Sequence, residues 1–145
     1  MLYADTCYLG KYYLAETGRD EARRALHGQD VACLAVGRVE LIAAFHRKAR
    51  EGTIDLTDFA ALLRQFETDN KGGLWRWLPV TDEILTEASL AYRTLPAKVF
   101  LRAGDALHLV AARNAGLREI YSNDRHLLAA APLFGLRGVN VITAP

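Results

Sequence analysis

VACLAVGRVELIAAFHRKAR, residues 31–50, changes its hydrophobic period part-way along. Val31 to Val36 is an unbroken apolar run, short enough for a buried strand. From Gly37 to Arg50 the pattern turns helical: Val39, Ile42, Ala43 and Phe45 are apolar, and His46-Arg47-Lys48 mark a basic end. Basic side chains suit a helix C-terminus, where the dipole is negative.

The same alternation extends in both directions. Upstream, Leu2-Tyr3-Ala4 is a short apolar run that stops at Asp5, and Cys7 to Glu16 and Asp20 to His27 read as helical pieces separated by Gly18. Downstream, Leu56 to Asp69 carries Phe59, Leu62, Leu63 and Phe66 at spacings of three and four, and Gly72-Gly73 ends it. Leu74 to Val80 predicts a strand. Thr81 is a suitable N-cap for a helix to Leu95. A helix over Ala103 to Gly116, a strand over Glu119 to Ser122, a helix over Arg125 to Ala131 and a last strand over Gly138 to Ile142 complete the series. The four prolines, at 79, 96, 132 and 145, fall at boundaries or the terminus. Strands separated by helices predict a parallel sheet covered on both faces, an α/β three-layer architecture. Ligands of such sheets bind at the carboxyl ends of the strands, near the topological switch point.

Composition bounds this reading. At 145 residues the chain fits a single domain, 1–145, and 51% hydrophobic content suffices for a core. No stretch approaches the roughly 18 apolar residues of a membrane helix. The start, MLYADTCYLG, lacks a basic n-region and does not read as a signal peptide. Cys7 and Cys33 are too few for a disulfide scaffold and, without an export signal, read as reduced thiols in the cytoplasm. A net charge of +1 is an average that lets a basic rim coexist with an acidic pocket.

Four acids sit in apolar or strand-end settings. Asp5 follows the first apolar run, Glu40 interrupts VGRVELIAAF, Asp105 opens DALHLVAA, and Asp124 follows IYSN. On a helical wheel Glu40 shares a face with Val36, Ala43 and Ala44. Each acid has an ordinary explanation. Asp5 and Asp124 could cap helices, and Asp105 could favour the positive end of its helix. Glu40 could pair with Arg102 or Arg38, since an unpaired buried charge is costly. A second explanation covers all four. If the strands bearing Asp5 and Asp124 are adjacent, the carboxylates converge, repel one another, and call for a cation. All-oxygen donors select a hard ion, Mg²⁺ or Mn²⁺.

The order of these acids, in YADTCYL, VGRVELIAAF, LRAGDALHLVAA and IYSNDRHLL, resembles the PIN-domain ribonucleases, and within them the VapC toxins of toxin–antitoxin pairs. The likeness runs from Tyr3 to Val141 and is strongest at Arg102 to Ala106 and Ser122 to Asp124. It implies a sheet in the order 3-2-1-4-5 and a Mg²⁺- or Mn²⁺-dependent endoribonuclease. Asp5, Glu40, Asp105 and Asp124 match the family's acidic quartet, as catalytic and metal-holding residues. Thr6 and Ser122 match hydroxyl positions beside it, and Asn123 and Arg102 support the site. The resemblance also implies an antitoxin that covers the acidic groove, and a homodimer.

The chemistry this suggests is attack of an activated water on an RNA phosphodiester, leaving a 5′-phosphate and a 3′-hydroxyl. A divalent ion lowers the pKa of water and offsets charge on the phosphoryl oxygens. Cys7 has no evident base partner, so no covalent nucleophile stands out. Lys11, Arg47, Lys48, Arg50, Arg76, Arg102 and Arg125 are candidates for a cationic rim that admits phosphate, with Lys11, Arg47, Lys48 and Arg125 taken as RNA-binding. Single-stranded or loop RNA suits stacking on rings; Tyr8, Tyr12, Tyr13, Trp75 and Trp77 could serve, or could belong to the core. His108, three residues after Asp105, could share its face as a metal ligand, although no second His sits at ligand spacing. The helices between Gly37 and Asp69 offer apolar faces to a partner or to the chain's own core. A processing nuclease that is not a toxin, a metal-dependent phosphohydrolase of small substrates, and a catalytically silent binding module are the alternatives.

Overall fold

The computed structural model describes residues 1–143. Pro145, and with it the end of the expected domain, lies outside the described residues. The elements run β1 (Leu2–Ala4), α1 (Thr6–Tyr13), α2 (Arg19–Leu26), β2 (Val31–Leu34), α3 (Gly37–Arg50), α4 (Leu56–Lys71), β3 (Trp75–Leu78), α5 (Asp82–Thr94), α6 (Ala103–Asn114), β4 (Glu119–Tyr121), α7 (Arg125–Ala130) and β5 (Arg137–Val139). A 3₁₀ turn over Ala131–Phe134 links the last two.

All strand pairs are parallel, and the sheet order is β3-β2-β1-β4-β5. Tyr3 registers with Ala32 on one side and Ile120 on the other, so β1 is central. Side chains alternate across each strand. Tyr3, Ala32, Leu34 and Ile120 pack with Leu109 and Val110 of α6 and Leu127 of α7. Ala4, Val31 and Cys33 pack with Tyr8 and Leu9 of α1, Leu41 and Phe45 of α3, and Phe66 of α4. These two cores, one on each face, make the three layers.

The strand order reverses beside β1: the chain builds outward to β2 and β3, then returns to place β4 on the other side. The crevice at the carboxyl ends of β1 and β4 is therefore the switch point.

Several boundaries are tighter than the hydrophobic runs. The strand expected over Leu74 to Val80 pairs only over Trp75–Leu78, because its neighbour β2 offers four residues. The last strand lies at Arg137–Val139 rather than Gly138 to Ile142, since β4 has three residues to pair with. Beyond it, the Ile142 N–H donates to Asn140 Oδ1, and the Ile142 side chain packs close over Gly18. The helix expected to reach Glu16 stops at Tyr13, where Leu14 turns extended and is buried. After α4, the left-handed conformation that ends the helix falls on Gly73, at φ +71°. No helix among the described residues is long and apolar enough to cross a membrane.

Candidate active site

Asp5 directly follows β1, and its Oδ1 accepts the Tyr8 backbone N–H at 2.8 Å, capping α1. Its Oδ2 accepts the Ser122 hydroxyl at 2.6 Å, a bond from the end of β4 across the switch point. The Ser122 oxygen in turn accepts the Asp124 N–H at 2.9 Å. Asp124 caps α7, its Oδ1 accepting from His126 N and Leu127 N. Capping and convergence are thus compatible: the same bonds that start the helices aim the carboxylates at one edge.

Asp105, in the first turn of α6, makes no cap bond. It receives the Arg102 guanidinium, Nε to Oδ2 at 3.0 Å and Nη2 to Oδ1 at 3.4 Å. Arg102 Nη2 also reaches Asp124 Oδ2 at 2.7 Å, so one cation joins two acids. Glu40 pairs with neither Arg38 nor Arg102. Its Oε2 takes a short hydrogen bond from the Thr6 hydroxyl and lies 3.1 Å from His108 Nε2. The buried stripe of α3 is Leu41 and Phe45, and the Glu40–Ala43–Ala44 face opens to a cleft rather than to the core.

That cleft, of about 810 Å³, is lined by Thr6, Cys7, Glu40, Ala43, Ala44, His46, Arg47, Arg50, Arg102 and Asp124. Asp5 and Asp105 are buried outside its lining and are tied to Asp124 on its wall, the one through Ser122 and the other through Arg102. Arg47, Arg50 and Arg102 are the rim cations on its wall. Lys11 and Lys48 share Glu16, each at 3.2 Å, Arg76 pairs with Asp30, and Arg125 lies beside His126; none of these four lines the cleft. The Asn123 side chain accepts from Asn140 Nδ2 at 3.1 Å. Tyr8, Tyr13 and Trp75 are core residues, with Trp75 Nε1 donating to the Tyr13 hydroxyl at 2.6 Å. Tyr12 and Trp77 pack against that core.

The electrostatics are those of a crowded acidic edge. Burial lifts Asp5 to about 6, against the partial relief of His108, Ser122 and the Tyr8 N–H, and Asp105 adds to the rise. Burial works to raise Glu40 as well, but hydrogen bonds from His108 and Thr6 win, and it is lowered. Burial pushes the Cys7 thiol up to about 12, which leaves it a poor nucleophile. For His108, burial opposes a charge, while Cys33 and Glu40 favour one strongly enough to raise the ring to about 10. Burial pushes the Cys33 thiol up, so at neutral pH Glu40 is the anion that bears on the ring.

Sequence reasoning missed His108 as the partner of Glu40. The two lie 68 residues apart, and the one signal was the histidine's place one turn after Asp105 on the same helix.

A family model describing the PIN domain matches residues 2–132. The chain belongs to the PIN domain family. PIN domains are generally metal-dependent nucleases, and the matched span contains all four acids. No individual curated protein matches the chain. The donor chemistry suits the family's divalent ion: the acids offer oxygen alone, and Asp5 bears a desolvation cost that a hard cation would relieve. Among the described residues, no three His, Cys, Asp or Glu side chains enclose an ion as they stand. The Arg102 guanidinium is the positive charge between Asp105 and Asp124.

Proposed function

We propose that this PIN domain is a Mg²⁺- or Mn²⁺-dependent endoribonuclease and the toxin, of VapC type, of a toxin–antitoxin pair. The observation that carries the reading is the linkage of Asp5, Asp105 and Asp124 through Ser122 and Arg102 at the switch point, beside a cleft walled by arginines. Asp5, Asp105, Asp124 and Glu40 would hold the cation, which supplies an acidified water and charge neutralisation at phosphorus. Ser122 and the Tyr8 N–H fix Asp5, and Thr6 fixes Glu40. Glu40, lowered and hydrogen-bonded, is an anion suited to orienting a water in the cleft. Arg47 and Arg50 draw the RNA backbone in, since phosphate does not approach carboxylates unaided. Single-stranded or loop RNA, whose bases can splay out and stack, is the substrate form this reading favours.

In this reading the partner is an antitoxin with a basic side chain for the acidic edge, and the chain pairs with a second copy. The groove between α3 and α4, with Ala35, Val39, Ile42, Leu63 and Phe66 along it and Arg38, Glu67 and Asn70 beside them, leaves Val39 70% exposed and is where such a contact would form. The cytoplasm is the compartment that supplies the RNA.

The test is incubation of the purified chain with single-stranded RNA and, separately, a generic phosphatase substrate, in Mn²⁺ or in EDTA. Cleavage of RNA to 5′-phosphate ends, dependent on Mn²⁺ and lost in Asp5→Asn, is expected. Turnover of the small substrate alone, or RNA binding without cleavage, favours the phosphohydrolase or the silent module. A short neighbouring reading frame whose product silences the activity distinguishes a toxin from a processing nuclease.

A further inference from the structure

Glu40 sits at the end of a buried polar chain that begins inside the sheet. Tyr3, on β1, is fully buried, and its hydroxyl accepts the Leu34 backbone N–H of β2 at 3.0 Å. The same hydroxyl lies 2.6 Å from His108 Nδ1. A phenol has one proton to donate. With Leu34 donating inward, that proton points to Nδ1, and a ring nitrogen that accepts a proton does not carry one. In the neutral ring the proton is then on Nε2, and in the charged ring Nε2 carries one as well; it faces Glu40 Oε2 at 3.1 Å. The opposite neutral tautomer, protonated at Nδ1 alone, would leave Glu40 without this donor, give the Tyr3 oxygen two donors and leave its own buried proton without an acceptor among the described residues, a costly outcome.

We propose that Tyr3 and His108 are positioning residues for Glu40: Tyr3 holds the His108 ring with its Nε2–H toward Glu40, and His108 with Thr6 locks one carboxylate oxygen. Oε2 takes both donors, while Oε1 has no protein donor among the described residues. Oε1 stands beside Gly104, 3.5 Å from where a Cβ would be, at the start of the helix that carries Asp105. One oxygen is thereby anchored and the other left free at the cleft. The anchor is rigid because its far end is a buried backbone N–H of β2 and not a surface side chain. Neither Tyr3 nor His108 lines the cleft, so both act through Glu40.

The Nε2–H bond stands on geometry alone, whereas the role in turnover rests on the nuclease reading. Long-range ¹H–¹⁵N spectra of the imidazoles, recorded on the metal-free full chain near pH 7, test the first. They are expected to show His108 carrying a proton at Nε2. A ring bare at Nε2 overturns the proposal without any variant having to fold. Kinetics with single-stranded RNA and Mn²⁺ test the second. Tyr3→Phe is expected to lower kcat about tenfold with KM unchanged, and His108→Gln, which keeps an N–H for Glu40, to retain more turnover than His108→Leu. Unchanged kcat in Tyr3→Phe, or equal loss in the two His108 variants, overturns the positioning role. A wild-type chain with the Nε2–H in place that cuts no RNA sinks the nuclease reading and the role with it, and leaves the Nε2–H bond standing.

Discussion

Asp5 carries the strongest internal conflict at the level of single residues. Its pKa rises from 3.8 to about 6 on folding, because burial penalises the carboxylate. A carboxyl group raised in the folded state binds more protons there than in the unfolded chain between those two values. Stability of the metal-free protein therefore falls as pH rises through about 4 to 6 and stays lower above that window. Asp5→Asn removes the charge and keeps an acceptor for the Tyr8 N–H. In EDTA at pH 7 it is expected to unfold at higher denaturant than wild type, by up to about 3 kcal/mol, with the advantage vanishing near pH 4; urea titrations at both pH values measure it. Arg102 sets up the complementary case. It neutralises Asp105 and Asp124 through a side chain that is 61% exposed, so a cation entering between those acids competes with it. Arg102→Gln is expected to tighten Mn²⁺ binding several-fold by calorimetry while lowering the metal-free Tm. Asp5, Asp105 and Asp124 were legible in the sequence because each follows a strand or opens a helix. The Tyr3–His108–Glu40 chain was not, since nothing in a three-residue strand shows where a tyrosine hydroxyl will reach.

Elements place these side chains, and α3 does so under tight steric limits. Gly37 begins it, and a Cβ there would come within 2.9 Å of Cys33 Sγ, 3.1 Å of the Trp77 ring and 3.2 Å of Thr6 Oγ1. The contacts join β2, β3, α1 and α3 at one point. Gly37→Ala should gain about 1 kcal/mol of helix propensity and lose more to overpacking, about 1–3 kcal/mol. A net loss of stability is expected in urea denaturation, together with weaker turnover as Thr6 is pushed from Glu40. The helical stretches themselves were readable from period and caps: Thr81 and Asp124 accept the backbone N–H groups that the sequence assigns them. Strand lengths were not readable, because pairing partners fix them. The stretches 74–80 and 138–142 each extend past the residues their neighbours can bond. Nor does the pattern of α3 show which of its faces opens, since Ala43 and Ala44 look apolar in a sequence yet flank Glu40 on the open side.

On the scale of the whole molecule, the parallel order 3-2-1-4-5 puts β1 and β4 side by side, and this adjacency turns distant acids into neighbours. A cation that binds only the folded chain stabilises it by mass action, about 2.7 kcal/mol at a hundredfold excess over Kd. Chelation is thus expected to lower Tm by roughly 5–10 °C for a domain of this size, read by differential scanning fluorimetry with Mn²⁺ and with EDTA. The central claim, that the four carboxylates serve one ion, is tested most directly by calorimetric titration of Mn²⁺ into wild type, Asp5→Asn and Asp105→Asn at pH 7. Saturable binding to wild type, weakened at least tenfold in both variants, is the expected result. No saturable binding, or binding that either substitution leaves untouched, would contradict it.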